Sequence, residues 1–211
     1  LGAGSVTVVS EAEVLDARGS GPGRRRRSRP RWGATALALL AGLLALALIA
    51  GTAVGGWLVQ RSLPQTEGEL RVEGLGAPVQ VQRDARGVPT IVAETSDDLF
   101  FAQGYVHAQD RFWEMDVRRH ITAGRLSEMF GADQVETDAF VRTLGWRRIA
   151  EQELDLLTPE TLEALTAYAS GVNAYLDTHD DTEVSLEYAV LGLTARGYTI
   201  DPWTPADSVA W

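Results

Sequence analysis

The 211-residue sequence contains no cysteine. Disulfides, thiolate metal sites and a cysteine nucleophile are therefore excluded within these residues. Lysine is absent as well, so all 19 basic residues are Arg, a bias of composition that carries no function by itself. There is no GxSxG, no Walker A loop, no dinucleotide-type GxGxxG and no HExxH. The best-marked local signatures of serine hydrolases, P-loop NTPases, Rossmann enzymes and zinc proteases are thus missing. A formal net charge of −10 argues against nucleic acid as a partner.

What is present is unevenly placed. Residues 1–61 hold eight basic and three acidic side chains, a net of +5, whereas residues 62–211 hold 11 basic and 26 acidic ones, a net of −15. With 45% hydrophobic and 23% charged residues, the chain has the composition of a protein that buries a core. It starts at Leu1 and stops at Trp211, and it reads as a fragment.

From Ala34 to Val59, 26 residues pass without a charge. About 20 apolar residues span a bilayer core, so this run is long enough with some tilt. Six Arg lie between Arg24 and Arg31. Arg concentrates on the cytoplasmic side, so residues 1–32 are expected to be a disordered cytoplasmic tail and the acidic remainder to lie outside. Trp32 and Trp57 bracket the run, roughly 37 Å apart along a helix, which suits two headgroup levels. The expectation is a single-pass transmembrane helix over 33–60 in the cell membrane, in contact with lipid along 34–59. The rival is a cleaved signal peptide, whose apolar region is usually about 7–15 residues and hence shorter than this one.

Residues 61–77, including Ser62–Gly68, read as a polar linker. Leu70 and Val72, then Val79 and Val81, alternate with polar residues as a half-buried strand does. Pro78 to Ala93 reads as a β-hairpin turning at Asp84-Ala85-Arg86-Gly87. Ser96 is the expected N-cap of a helix with Asp97 and Asp98 in its first turn. Its core stripe is read as Leu99, Ala102, Val106, Trp113, Val117 and Ile121, with Gly124 ending it and a short helical continuation over 125–130. Thr158-Pro159 opens a second long helix, to about Leu176, with Leu162, Leu165, Ala169, Val172 and Leu176 inward. Thr204-Pro205-Ala206-Asp207 begins a third.

Local chemistry is sparse. His107 and His120 stand 13 residues apart on one expected helix, about 20 Å, too far to share a metal; these and His179 read as hydrogen-bonded structural histidines. Asp177, Asp180, Asp181 and Glu183 have calcium-type oxygens without EF-hand spacing and read as a solvated acidic turn. Ser170 and Ser208 have no His or acid at a telling offset. Gln103 to Arg119 packs aromatics and Met115 against charges. There Glu114 and Arg118 form an i,i+4 pair, and Asp110-Arg111 needs partners from another element. That segment reads as a structural hub.

Longer stretches are more specific. Val81-Gln82-Arg83-Asp84, Gly87-Val88-Pro89-Thr90-Ile91 and Phe101-Ala102-Gln103-Gly104-Tyr105-Val106-His107-Ala108-Gln109-Asp110-Arg111-Phe112-Trp113-Glu114-Met115-Asp116 come first. Gly124-Arg125-Leu126-Ser127-Glu128, Tyr168-Ala169-Ser170-Gly171-Val172-Asn173-Ala174 and Pro202-Trp203-Thr204-Pro205-Ala206-Asp207-Ser208 follow in order. This series resembles the start of the penicillin acylase family. Thr90 departs from it, since the family commonly has His there, and the apolar anchor departs from the family's usual cleaved signal peptide.

The resemblance implies an α+β chain in which residues 78–211 are part of the α-chain of an αββα N-terminal-nucleophile hydrolase. It implies a precursor that cuts itself into two chains, the larger beginning with the nucleophilic Ser. The substrates implied are small amides with hydrophobic acyl groups, such as penicillins, related β-lactams or acyl-homoserine lactones. The nucleophile, oxyanion donors and most calcium ligands of the family belong to the downstream β-chain, and the acyl-pocket residues lie beyond the point matching Trp211. The resemblance therefore assigns no catalytic residue to this sequence, no cofactor within it beyond a structural calcium in the complete protein, and its own downstream portion as partner. The readings without chemistry are an inactive homologue with a scaffold role and a single-pass ectodomain that binds a partner.

Overall fold

The computed structural model describes residues 32–195 and 197–211. The expected cytoplasmic tail, apart from Trp32, and the Arg24–Arg31 cluster lie outside the described residues. The described chain is mostly helical with one small sheet.

Helix α1 spans Trp32–Arg61. By length and composition its Thr35–Arg61 part is long and apolar enough to cross a membrane. A signal sequence near an N-terminus meets the same description. After α1, residues 62–79 contain no strand, so the alternation at Leu70 and Val72 does not form one. Gly74, at φ 106°, and Pro78 interrupt the extended path, and nothing pairs with it. The stretch is nonetheless held on the next helix. Gln109 Nε2 donates to Gln65 O at 3.0 Å, and Gly76 N donates to Asp98 Oδ1 at 2.7 Å.

The hairpin forms where turn chemistry and alternation agree. Strands β1 (Gln80–Arg83) and β2 (Pro89–Val92) pair antiparallel, with Val81 opposite Ile91 and Arg83 opposite Pro89. In the turn, Asp84 Oδ1 accepts from the amides of Arg86 and Val88 at 2.8 and 2.9 Å, an Asx turn.

Helix α2 spans Ser96–Ala123. Thr95, one residue earlier than expected, is its N-cap and accepts from Asp98 N at 3.1 Å. Gly124 ends it in the left-handed region at φ 63°, a conformation glycine takes at little cost. The inward face differs from the expected stripe. Leu99 and Ile121 are exposed, while Phe101, Phe112, Met115, Asp116, Arg119 and His120 are buried. The backbone is non-helical at Arg111 (φ −145°, ψ 16°) and kinks the helix there. Asp116 and Arg119, polar members of the expected hub, and His120 pair inside the core.

Four further helices were not apparent from the pattern: α4 (Val135–Leu144), α5 (Trp146–Glu153), α7 (Asp181–Val184) and α8 (Leu186–Thr194). The short α3 is Leu126–Phe130. Helix α6 spans Pro159–Leu176, with Thr158 capping Thr161 N. Its Ala169 and Val172 are buried as expected, but Leu162 is exposed. Helix α9 (Pro205–Val209) has the Thr204–Asp207 capping box.

Helices α2 and α6 cross at van der Waals contact of their backbones. A Cβ on Gly104 would overlap the Tyr168 carbonyl, and one on Gly171 would overlap the Phe101 carbonyl. The core closes around this crossing with Phe112, Met115, Met129, Tyr175, Tyr188, Leu191 and Trp203.

Candidate functional site

The most organised polar arrangement is buried beside the crossing. Asp116, fully buried, takes Arg119 Nε on Oδ1 at 2.6 Å and the Tyr188 and Tyr198 hydroxyls on Oδ2 at 2.6 and 2.5 Å. His120 Nδ1 sits 2.7 Å from the Asp116 carbonyl oxygen and 3.3 Å from Oδ1. Burial alone would raise the Asp116 carboxyl. The hydrogen bond from His120, the Arg119 charge and the two tyrosine hydroxyls outweigh that and hold it at about 2. The same burial and the adjacent carboxylate push Tyr188 and Tyr198 well above the usual phenol range. Arg119 also donates to Pro202 O at 3.1 Å, and its guanidinium carbon lies 5.7 and 5.6 Å from the Phe112 and Trp203 ring centroids, a cation–π arrangement. Both tyrosines face a carboxylate, and Asp116 has no surface exposed to solvent. The arrangement holds α2, α8 and the 198–203 segment together.

The expected hub is therefore real, but its centre is Asp116. Of the pair singled out in sequence, Asp110 is bound by Arg83 of β1 at 2.8 and 2.9 Å, whereas Arg111 is exposed at the kink. Glu114 and Arg118 form their pair at 3.1 Å on the surface.

A cleft of about 560 Å³ lies between α2, α6 and α9, lined among others by Phe100, His107, Leu165, Tyr168, Trp203 and Trp211. His107 Nδ1 is 3.0 Å from the Tyr168 hydroxyl. Burial lowers His107 against a smaller upward pull from Asp110, and burial raises Tyr168 to about 12. Ser208, also on the cleft, accepts from Trp203 Nε1 at 2.9 Å, and Ser170 donates to Thr166 O at 2.9 Å. Among the described residues no serine hydroxyl is paired with a histidine, so no activated nucleophile of the Ser–His kind is assembled.

The acidic turn is used structurally. Asp180 and Glu183 form the capping box of α7, and Glu183 is bonded by Arg61. Asp181 is raised by burial and by Asp180 and Asp116. His179 Nδ1 lies 2.8 Å from Tyr175 O. Among the described residues no group of three or more His, Asp or Glu is placed to hold a metal ion.

The described residues form crossed helices, a leading hairpin and a buried polar cluster, mostly helical with one two-stranded sheet. Known proteins share this arrangement. The family described as penicillin amidase matches residues 78–211, and the chain belongs to that family. It is 39% identical over 152 residues to the penicillin acylase 2 proenzyme of Pseudomonas sp. (strain SE83), covering 72% of this chain and 19% of that protein. To the acyl-homoserine lactone acylase QuiP of Pseudomonas aeruginosa it is 39% identical over 155 residues, covering 72% and 18%. Among solved structures, a thermostable penicillin G acylase from Alcaligenes faecalis superimposes with a TM-score of 0.55 and 28% identity over 63% of this chain and 69% of that one. The chain thus spans about a fifth of the length of these curated relatives.

Proposed function

We propose that this chain is the scaffold portion of a membrane-tethered amidohydrolase that cleaves hydrophobic acyl groups from small amides, penicillins, related β-lactams or acyl-homoserine lactones. The observation that carries the reading is the family match across residues 78–211, together with relatives named as acylases of both amide types. In this reading the nucleophile is an N-terminal Ser of a downstream chain released by self-cleavage. Its hydroxyl oxygen attacks the amide carbonyl while the α-amino group takes the proton; the amine leaves, and water then hydrolyses the acyl ester. Residues 78–211 supply the partial α-chain domain of an αββα fold, 61–77 join it to the anchor, and 33–60 anchor it with residues 1–32 cytoplasmic. A structural calcium, where the complete protein has one, is held outside these residues.

The surfaces on which the catalytic portion would pack are the aromatic cleft between α2, α6 and α9 and the exposed apolar side chains of α4 and α5. Phe140 is 63% and Trp146 46% exposed, more than a surface of isolated apolar side chains calls for.

N-terminal sequencing and intact-mass measurement of the protein expressed from its native gene test the reading, followed by hydrolysis assays on a penicillin and an N-acyl-homoserine lactone. Two chains, the larger beginning at Ser, with acyl release, are expected. A single unprocessed chain without hydrolysis would replace the proposal with an inactive homologue or a binding ectodomain.

A further inference from the structure

The acidic part of the chain gathers positive charge in one place. Of the 11 Arg in residues 62–211, four line a single cavity of about 400 Å³: Arg119, Arg125, Arg142 and Arg147. They come from α2, the α2–α3 junction, α4 and α5, so the fold and not a run of sequence brings them together. The segment leading into α9 contributes Asp201, Pro202 and Thr204 to the wall.

Three carboxylates share the cavity, and each is already engaged. Asp207 takes Arg147 Nη1 on Oδ1, and on Oδ2 it takes the amide and the hydroxyl of Thr204, both at 2.7 Å. Glu151 accepts from Arg147 Nε and Asp201 from Arg125 Nη2, each at 2.9 Å. Arg119 has its carboxylate in Asp116. Arg142 is the guanidinium left over. Its Nε donates to Gly124 O at 2.7 Å, which ties the side chain to the C-terminal end of α2. Among the described residues neither Nη1 nor Nη2 of Arg142 has a hydrogen-bond partner, and no carboxylate pairs with it. Nη2 of Arg119, a residue only 4% exposed, also lacks a partner among them.

An arginine held through Nε presents its two terminal nitrogens as a planar fork, which the oxygens of a carboxylate or phosphate meet with two parallel bonds. We propose that this cavity binds a small oxyanion, a carboxylate or phosphate group seated on the Arg142 fork with Arg119 and Arg125 adding positive charge beside it. The volume admits a small organic acid or phosphate ester.

The test titrates the full-length protein with inorganic phosphate and, separately, with succinate by isothermal calorimetry, at an ionic strength held constant with sodium chloride. Saturable binding of at least one of the two at one site per chain is expected. Arg142→Gln should weaken it about tenfold or more, and Arg148→Gln, at an exposed arginine of α5 outside the cavity, should leave it unchanged. Glu151→Gln removes a wall carboxylate but keeps an acceptor for Arg147. It is expected to tighten binding several-fold, a gain that a misfolded variant does not give. Tighter binding of phosphate supports a phosphorylated ligand, and tighter binding of succinate a carboxylic acid. Heats of dilution alone with both anions overturn the proposal, as they would if a carboxylate from the rest of the protein fills the fork. Saturable binding that neither Arg142→Gln nor Glu151→Gln alters overturns it in favour of an anion site elsewhere.

Discussion

Gly104 and Gly171 let α2 and α6 cross so closely that each glycine rests on a carbonyl of the other helix, Tyr168 for Gly104 and Phe101 for Gly171. Two backbones at this distance leave no room for a Cβ on either side. The crossing also brings Tyr105 and Tyr175 together edge to face at 5.4 Å, so its geometry is supported by side chains on both sides of the glycines.

Gly171→Ala is expected to push the helices apart and destabilise the domain by about 3 kcal/mol or more, in the range of overpacked cores. Gly192→Ala in α8, where a Cβ meets nothing within 4 Å, is expected to be neutral or to stabilise by about 0.5–1 kcal/mol. Thermal melts followed by far-UV circular dichroism compare the two; equal melting temperatures would refute the close-crossing account.

Asp116→Asn leaves Arg119 buried without its counter-charge and is expected to cost on the order of 3–5 kcal/mol. In the parent protein the Asp116 carboxyl is held at about 2, below its ordinary 3.8. A depressed carboxyl contributes stability that is fully present above its unfolded value and lost as pH falls through the folded one. Its contribution, on the order of 2 kcal/mol, should therefore disappear between about pH 4 and 2. Denaturant melts from pH 6 down to 2 on parent and Asp116→Asn should show a steeper acid loss in the parent; parallel curves would contradict this.

Arg83 and Asp110 tie the hairpin to α2 with two charge-assisted bonds at 2.8 and 2.9 Å, both side chains being largely covered. Asp110→Asn is expected to cost about 1–2 kcal/mol and, more tellingly, to raise hydrogen exchange in β1 and β2 while leaving α6 protected. Uniform loss of protection would mean that the pair supports the whole core instead of the hairpin.

Asn173 holds the chain before α9 by donating to Trp203 O at 2.9 Å and accepting from Trp203 N at 2.7 Å. Asn173→Asp keeps the acceptor but sets an anion against a carbonyl, with an expected cost of about 1–3 kcal/mol. The Trp203 indole should become more accessible to acrylamide, measured with the other tryptophans replaced by Phe; unchanged quenching would speak against the clamp.

The elements legible in sequence are those governed by near neighbours. Thr158-Pro159 and Thr204–Asp207 cap their helices because capping joins residues three apart, and the Asp84–Gly87 turn forms because an Asp side chain serves the next amides. The Leu70–Val72 alternation failed for want of a partner strand. The α2 stripe failed because the pattern counts polar residues as outward, and Asp116, Arg119 and His120 are inward. As members of ordered motifs, Gly104, Asp116 and Gly171 already carried the family resemblance, but nothing local states why each is needed.

The sequence by itself determined the apolar run that becomes α1, the acidic character of the remainder, the hairpin, the capped helix starts and the family, since all of these are written in composition, short-range hydrogen bonding or residue order. Tertiary structure alone decided that Asp116 would meet Tyr188 and Tyr198, 72 and 82 positions away, that Arg83 would take Asp110, and that Arg61 would close on Glu183 across 122 positions. Those partners lie on separate helices, a strand and a loop, and a buried or half-buried charge selects whichever opposite group the packed backbone delivers to it, a choice that long-range folding makes and periodicity does not record.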